Sequence, residues 1–383
     1  MKHDHLDPWA DRAQVRAIWE SMSASKEVPY QLTWAWVESW LDSLPQEGVR
    51  LKCVVIYKDG APACAFFAGR KTITRRKLVH SRCIFINATG DDEYDSLCLE
   101  YNRFLKNPDV EIGLQDIVTA LGDGWDELAF PGFCFSYYDK LDESRLEKKC
   151  RLLIDKDVPA PCVDLERVRE SEGGYLALLG SSTRSQIRKS YKSYSQKGKV
   201  ELLAADTIPA AEIVYKELVE IHQEAWNRRG KPGAFYSSYF FKFHLDLIRK
   251  RFDKGEIQLL KVVHGDATIG CLYNFIHEGR VYFYQSGFVY DGDGKIKPGY
   301  VCFNEAIEYN ARIGNMCFDF MGGSSDYKRR LGQDGDRVIW FRLQKRSLKF
   351  ALEDLAVSAY RAMKRGARSV PRLKERLMPR YLP

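Results

Sequence analysis

Four stretches of the sequence gather residues able to do chemistry. The first, residues 183–199, holds six basic residues and no acidic one. On a helix Arg184, Arg188 and Lys192 share one face at i, i+4, i+8. Guanidinium groups match phosphate oxygens bidentately, so this face suits the phosphates of a cofactor or a nucleotide-linked substrate, or else plain solvent. The second, residues 214–230, carries His222, Glu224, Trp226, Arg228 and Arg229. An imidazole with an ordinary pKa of about 6.5 can accept a proton from an amine or hydroxyl near neutral pH, although helical histidines are more often structural. The cationic, glycine-rich stretch 228–233 that follows suits an anionic ligand or an ordinary surface loop.

The third stretch, residues 282–299, places Tyr284, Gln285 and Ser286 at the end of a strand. An acidic, glycine-rich loop then leads to Lys295, Lys297, Pro298 and Gly299 before a helix. A helix opening at Pro298-Gly299 presents free backbone N–H groups and a positive dipole end, a place for phosphate. Asp291, Asp293 and Gly294 sketch a calcium loop, but the EF-hand ligand spacing and closing glutamate are absent, so no metal is expected. The fourth, residues 318–330, runs from a strand bearing Asp319 through a glycine turn to Tyr327 and Lys328. It gathers an acceptor, a phenol and an ammonium at one sheet edge.

The elements that must position these groups recur in the two halves of the chain. Residues 51–67 read as strand, Asp59-Gly60 turn, strand, and residues 258–275 repeat the pattern around Gly265-Asp266. A second turn at Glu278-Gly279 leads into a third strand, which predicts a meander. A helical stretch at 114–121 precedes a short strand at 125–130, as 302–312 precedes 316–321. Each half opens with an aromatic-bearing helix, at 33–40 and 211–228. This order predicts two α/β (α+β) domains of similar fold, each a mixed, mostly antiparallel sheet flanked by helices. Residues 155–161, with two prolines flanked by charge, predict an extended join, giving domains 1–160 and 161–346 and a tail 347–383.

With 383 residues and 45% hydrophobic content, the chain has enough material for two cores, and neither disorder nor a collagen-like repeat fits. No apolar run approaches the roughly 20 residues that cross a bilayer. The N-terminus lacks the apolar core of a signal peptide, so a soluble, cytoplasmic protein is expected. Ten scattered cysteines without a C-x-x-C pair are expected as buried thiols, with neither a disulfide framework nor a metal site. The net charge of +7 resides in the tail: from residue 341 onward there are 12 basic and 3 acidic residues. Its apolar residues recur at helical spacing, which suits a solvated helix packed on the domain, an anionic membrane surface or an acidic partner.

In order and spacing these segments resemble the second half of the CelD-like, or BioF2-like, acetyltransferases. Those enzymes are relatives of the Fem-type aminoacyl transferases within the GNAT superfamily. The likeness runs from about residue 173 to 331: the arginine-rich helix, His222 with Trp226 and Arg229-Gly230, the Gly265-Asp266 hairpin, Tyr282 to Gly287, Pro298-Gly299, and Asp319 with Gly323, Tyr327 and Lys328. It implies tandem GNAT-like domains, with an acyl donor bound in the splayed sheet of the second. An amine would attack the thioester directly while backbone N–H groups of the strand 282–289 stabilise the oxyanion. The resemblance implies His222 as base with Asp319 as its rival, Tyr327 as the acid for the leaving thiolate, and Lys328 beside it. It implies donor contacts at Gln285, Ser286, Gly287, Phe288, Lys297, Pro298 and Gly299, and substrate contacts at Arg184, Arg188, Trp226, Arg229 and Tyr284.

The expected donor is acetyl-CoA or another acyl-CoA, and the expected acceptor an amine on a small molecule or sugar, in envelope or exopolysaccharide synthesis. GNAT enzymes commonly grip the coenzyme A pyrophosphate with an R/Q-x-x-G-x-G/A loop, which residues 295–301 match only loosely. A Fem-type enzyme would draw its acyl group from aminoacyl-tRNA instead, and a non-catalytic scaffold of a polysaccharide synthesis complex is the third alternative. The first half, whose strand copy lacks a Tyr-Lys pair after Phe130, is assigned to acceptor binding and support.

Overall fold

Three two-residue turns set the register of the sheet. Asp59-Gly60 and Glu278-Gly279 place both residues at positive φ, the backbone that matches the twist of a tight hairpin. Gly265-Asp266 uses glycine at the first position alone, the other favoured two-residue turn. A computed structural model describes residues 1–24, 28–76, 78–97, 99–138, 149–290, 292 and 294–369.

The first half contributes β1 (Lys2–Leu6), α1 (Arg12–Ser23), α2 (Trp34–Ser43), β2 (Leu51–Lys58), β3 (Ala61–Arg75), β4 (Val79–Ile86), β5 (Leu105–Lys106), α3 (Leu114–Leu121), β6 (Glu127–Cys134), α4 (Phe135–Tyr138) and β7 (Cys150–Asp164). The second contributes α5 (Leu165–Glu170), α6 (Gly174–Leu178), α7 (Ser181–Ser195), β8 (Val200–Ala204), α8 (Ile208–Asn227), α9 (Ser238–Arg251), β9 (Ile257–His264), β10 (Ala267–His277), β11 (Arg280–Phe288), α10 (Pro298–Arg312), β12 (Cys317–Asp319), α11 (Asp326–Leu331) and β13 (Gln333–Lys345), before α12 (Leu348–Ser369). The meanders β2-β3-β4 and β9-β10-β11, each followed by a helix and a short parallel strand, are the repeat expected from the sequence. All lie in one sheet of order β1-β2-β3-β4-β6-β13-β7-β12-β11-β10-β9-β8, with β5 paired to β3. Among the described residues the pairs β4·β6 and β11·β12 are parallel and the other named strand pairs antiparallel.

The halves exchange their last strands. β7, which ends the first half, pairs with β12 of the second, and β13, which ends the second, pairs with β6 of the first. β7 and β13 then pair with each other down the middle of the sheet. Residues 155–161, expected as an extended join, are extended, but they lie within β7. Prolines fit there because β12 covers only residues 162–164 of this strand. Before that point Pro159 and Pro161 act as acceptors, from the N–H groups of Gly323 and Phe320, where no proline N–H is required. One core, containing Trp36, Phe275 and Tyr273, runs along one face through both halves, while separate cores fill the other face of each half.

The two parallel pairs differ in what fills the splay beyond them. In the first half the segment around Asn102 enters it. The fully buried Asn102 side chain donates to the carbonyls of Ile86 and Pro131 at 2.9 Å each, and its backbone N–H donates to Gly132. In the second half no strand or loop of the described residues does the same. The start of α12 is tied to the first half: buried Glu353 accepts from Arg75 at 3.0 Å, and Lys349 reaches Asp126 at 2.8 Å. Leu348, Leu352, Leu355 and Tyr360 are exposed, and residues 370–383 lie outside the described part. Among the described residues nine cysteines are free thiols, six of them buried, and no helix is long and apolar enough to cross a membrane; Cys98 lies outside them.

Asn102→Ala removes two donors from buried carbonyls and leaves the splay of the first half unfilled. It is expected to cost about 2 to 4 kcal/mol in urea unfolding, while leaving the cavity of the second half intact.

Candidate active site

β11 and β12 stay paired only where residues 280–282 meet 317–319. β12 then ends while β11 runs on to Phe288, and the parting strands open a cavity of about 870 Å³. Along β11 the pairing with β10 slips at Tyr273/Asn274, which face Gln285 and Phe283, so Tyr284 is an unopposed bulge residue. A bulge re-aims the side chains around it. The Tyr284 hydroxyl reaches across to the first half, donating to the Leu97 carbonyl at 2.6 Å.

One wall of the cavity comes from α8, which can lie against β11 because Gly287 has no side chain. A Cβ there would stand 2.7 Å from the Leu218 carbonyl oxygen. That approach sets His222 Nδ1 2.9 Å from the Ser286 carbonyl oxygen. A carbonyl only accepts, so Nδ1 carries the hydrogen, and Nε2, buried and without a protein partner among the described residues, keeps its lone pair. Burial lowers the His222 pKa most, against the pull of the Ser286 hydrogen bond, so the ring is neutral at physiological pH. It stacks on Trp226 at 5.7 Å, and Arg229 lies over both Trp226 and Tyr290.

The N-terminus of α10 closes one end. The Lys297 N–H donates to Ser190 on α7, and the Gln186 amide donates to the Lys295 carbonyl at 2.6 Å, so α7 buttresses the turn. Lys297, Pro298 and Gly299 line the cavity. At Gly299 a Cβ would lie 3.2 Å from the Phe288 ring, a tight contact.

The opposite wall is the turn after β12. Met321 holds a positive φ of 57°, and Lys328, almost fully buried, donates to the carbonyls of Met321 at 3.3 Å and Gly322 at 3.1 Å. Tyr327 stacks face to face on Phe303 at 5.4 Å. Burial raises its pKa, reinforced by Tyr290, so it stays a protonated phenol.

Against this turn comes Glu100 from the first half, whose Oε2 accepts the Gly322 N–H at 2.6 Å. Burial pushes its pKa up to about 7, while Lys328, the Gly322 N–H and Lys156 pull in the other direction. Its neighbour Tyr101, at a positive φ of 58°, donates to both oxygens of Asp319 at 2.8 and 2.9 Å. Two constrained turns, one from each half, are thus fastened to each other at the cavity.

Thirteen of the residues expected at a site meet in this cavity: His222, Trp226, Arg229, Tyr284, Gln285, Ser286, Gly287, Phe288, Lys297, Pro298, Gly299, Tyr327 and Lys328. Asp319 does not. It is fully buried, accepts from Arg280 at 2.7 Å, from Tyr101 and from the Met321 N–H, and has no oxygen left for a substrate. Arg184, half-buried, and Arg188, exposed, also lie outside the cavity, while Thr183, Ile187, Ser190 and Tyr194 form the buried face of α7. Glu100 carries no sequence signal of its own, since its partner Gly322 is remote in the chain. The Gly322-Gly323 pair was the available hint, because a Cβ at Gly322 would sit 3.1 Å from both Glu100 oxygens. Among the described residues no group of acidic, histidine or cysteine side chains is placed to hold a metal, and Asp291 and Asp293 lie outside them.

Residues 181–329 match the sequence model of the acetyltransferase (GNAT) domain family. No curated protein sequence matches the chain. Among solved structures, a conserved protein of unknown function from Bacteroides thetaiotaomicron VPI-5482 is similar with a TM-score of 0.51 at 12% identity, over 88% of this chain and 97% of that one. FemX is similar with a TM-score of 0.50 at 10% identity, over 93% and 99%. The tandem GNAT protein from the clavulanic acid biosynthesis pathway gives 0.46 at 11%, over 90% and 98%. At such identities the first two likenesses establish a shared fold across nearly the whole chain.

Glu100 binds its proton more tightly folded than unfolded, so this group's contribution to stability falls as pH rises from about 4.5 to about 7. Glu100→Gln has no titrating group at this position. The stability difference between wild type and this variant, from urea unfolding at several pH values, is expected to shift against the wild type across that window.

Proposed function

We infer that this chain, a GNAT-type acyltransferase through its residues 181–329, moves an acyl group from a thioester lying along β11 to the amine of a small acceptor. One observation carries the reading: an open strand edge faces a carboxylate whose pKa, about 7, suits a base working at neutral pH. Acetyl-CoA or another acyl-CoA of the cytoplasm is the donor. Its pantetheine fits the edge of β11 that β12 leaves free, its phosphates the uncapped start of α10 with Lys297, and its amides the lone pair on His222 Nε2.

The acceptor arrives as an ammonium, and Glu100 takes one proton from it. The freed nitrogen lone pair attacks the thioester carbonyl carbon, forming the C–N bond and placing negative charge on oxygen. Backbone N–H groups of β11 near the Tyr284 bulge stabilise that charge, by roughly 3 kcal/mol per well-placed donor. As the C–S bond breaks, Tyr327 gives its proton to the thiolate, and the proton leaving the new amide nitrogen restores the phenol. The Lys328 ammonium holds the Met321-Gly322 turn, and with it the Gly322 N–H that orients Glu100. Bringing both substrates into one cavity supplies much of the remaining acceleration.

The basic face of α7 favours a second donor, aminoacyl-tRNA. Arg188, Lys189 and Lys192 are exposed outside the cavity, on the helix that buttresses α10, where RNA phosphates could lie.

Calorimetric titration with acetyl-CoA at two salt concentrations is expected to give micromolar binding with a shallow salt dependence; no binding, together with tRNA binding that weakens steeply with salt, would select the second donor. Glu100→Gln is expected to lower kcat about 10²- to 10⁴-fold without weakening acetyl-CoA binding, and to abolish the rise of kcat/KM through pH 7. Tyr327→Phe is expected to lower kcat by a smaller factor, and equal turnover in both variants would discard these roles.

A further inference from the structure

Next to the first cavity lies a second one, of about 290 Å³, lined mostly by the first half of the chain and by Trp340. Glu100 lines both cavities and so stands at their junction. The walls of the second one are aromatic. Trp19 from α1, Trp36 and Trp40 from α2 and Trp340 from β13 all border it. The Trp19 indole N–H is spent on the Leu32 carbonyl at 2.7 Å, and Lys156 caps Trp340 at 3.9 Å from the ring.

Two of the polar side chains of these walls, Asn87 and Asp95, are spent on the protein itself. Asn87 accepts from the Phe67 N–H and donates to Asn102 and to the Arg103 carbonyl. Asp95 accepts from Thr89 and Gly90. Gln31, in the short turn Tyr30–Leu32, is only 1% exposed, yet neither end of its amide has a partner among the described residues. A buried group left unbonded costs about 1 to 3 kcal/mol, so a primary amide retained in this state points to a ligand that completes it.

We propose that this cavity is the acceptor subsite and that it takes the ring of a hexosamine, whose amino group projects to Glu100. The proposal rests on the preceding reading of Glu100 as the base. A pyranose presents apolar C–H faces to tryptophan rings and equatorial hydroxyls that both donate and accept, as the amide of Gln31 does. A purely apolar amine would leave Gln31 unbonded. An anionic body would find one cation, Lys156, and that one is exposed at the rim. The volume lies at the lower limit of the roughly 300 to 1,000 Å³ of small-molecule sites, which sets the occupant at about one ring with its substituents.

The test uses the full-length protein and tryptophan fluorescence, which needs neither donor nor turnover. D-glucosamine and methyl β-D-glucopyranoside are expected to quench the emission saturably, and hexylamine is not. Gln31→Leu is expected to weaken both sugars at least tenfold, to raise KM for glucosamine far more than it lowers kcat, and to leave acetyl-CoA binding unchanged. Gln31→Met, closer in shape, guards against a folding defect and is expected to behave the same way. No quenching by either sugar, equal sugar affinity in wild type and variants, or a preference for hexylamine would overturn the proposal. Acetyl-CoA binding without sugar binding sinks this inference alone; sugar binding without acetyl-CoA binding sinks the acyl-CoA donor and leaves the subsite standing.

Discussion

The buried carboxylate of Asp319 is the point on which the site depends. It sits at the last paired residue of β12, where the sheet must stop being continuous for a cavity to open. Burying a carboxylate is costly unless donors surround it, and here the donors come from three places: Arg280 on β11, the Met321 N–H of the following turn, and Tyr101 of the other half. The first contact fixes how far β11 and β12 stay together. The second fixes the sharp turn that carries Met321 and Gly322 away from the strand, and the third brings the first half against that turn. Glu100, the residue before Tyr101, arrives at Gly322 as a consequence.

The exchange of final strands makes this fastening robust. Because β13 belongs to the sheet of the first half and β7 to that of the second, the halves cannot separate without breaking strand pairing at the centre of the sheet. A hinge between domains is therefore not how this cavity opens. The duplicated unit has instead been used asymmetrically. In the first half the Asn102 segment, satisfied by carbonyls of both parting strands, fills the splay and then delivers Tyr101 and Glu100 to the other half. One copy has become the wall of the other's cavity.

The sequence made legible what is determined locally. The hairpins at Asp59-Gly60 and Gly265-Asp266, the helix opening at Pro298 and the aromatic helix carrying Trp36 and Trp40 follow from turn residues and periodicity, which act over a few residues. The wall of the cavity built from β11, the end of α8 and the start of α10 was readable for the same reason, since each is one short stretch. The rest depends on partners far apart in the chain. Pro159 and Pro161 looked like a join because proline is rare inside sheets, and only the truncation of β12 beside them explains their place. Asp319 looked like a base because a carboxylate on a strand next to Tyr327 and Lys328 is suggestive, and the donors that occupy it come from Arg280 and Tyr101. Arg184 and Arg188 share a helix face, as their spacing required, but the opposite face of α7 is the one that packs.

Glu100 shows why such a residue escapes pattern reading and why it matters. Its raised pKa belongs to its surroundings: apolar burial supplied by both halves, opposed by Lys328, which the turn after β12 holds in place. Alone in a loop it would be an ordinary carboxylate, ionised well below neutral pH. The same turn that draws it out of water also holds it, since the Gly322 N–H donates to its Oε2. A carboxylate tuned this way exists only when both halves are folded and fastened, so its raised pKa depends on the strand exchange and on the Asp319 tie.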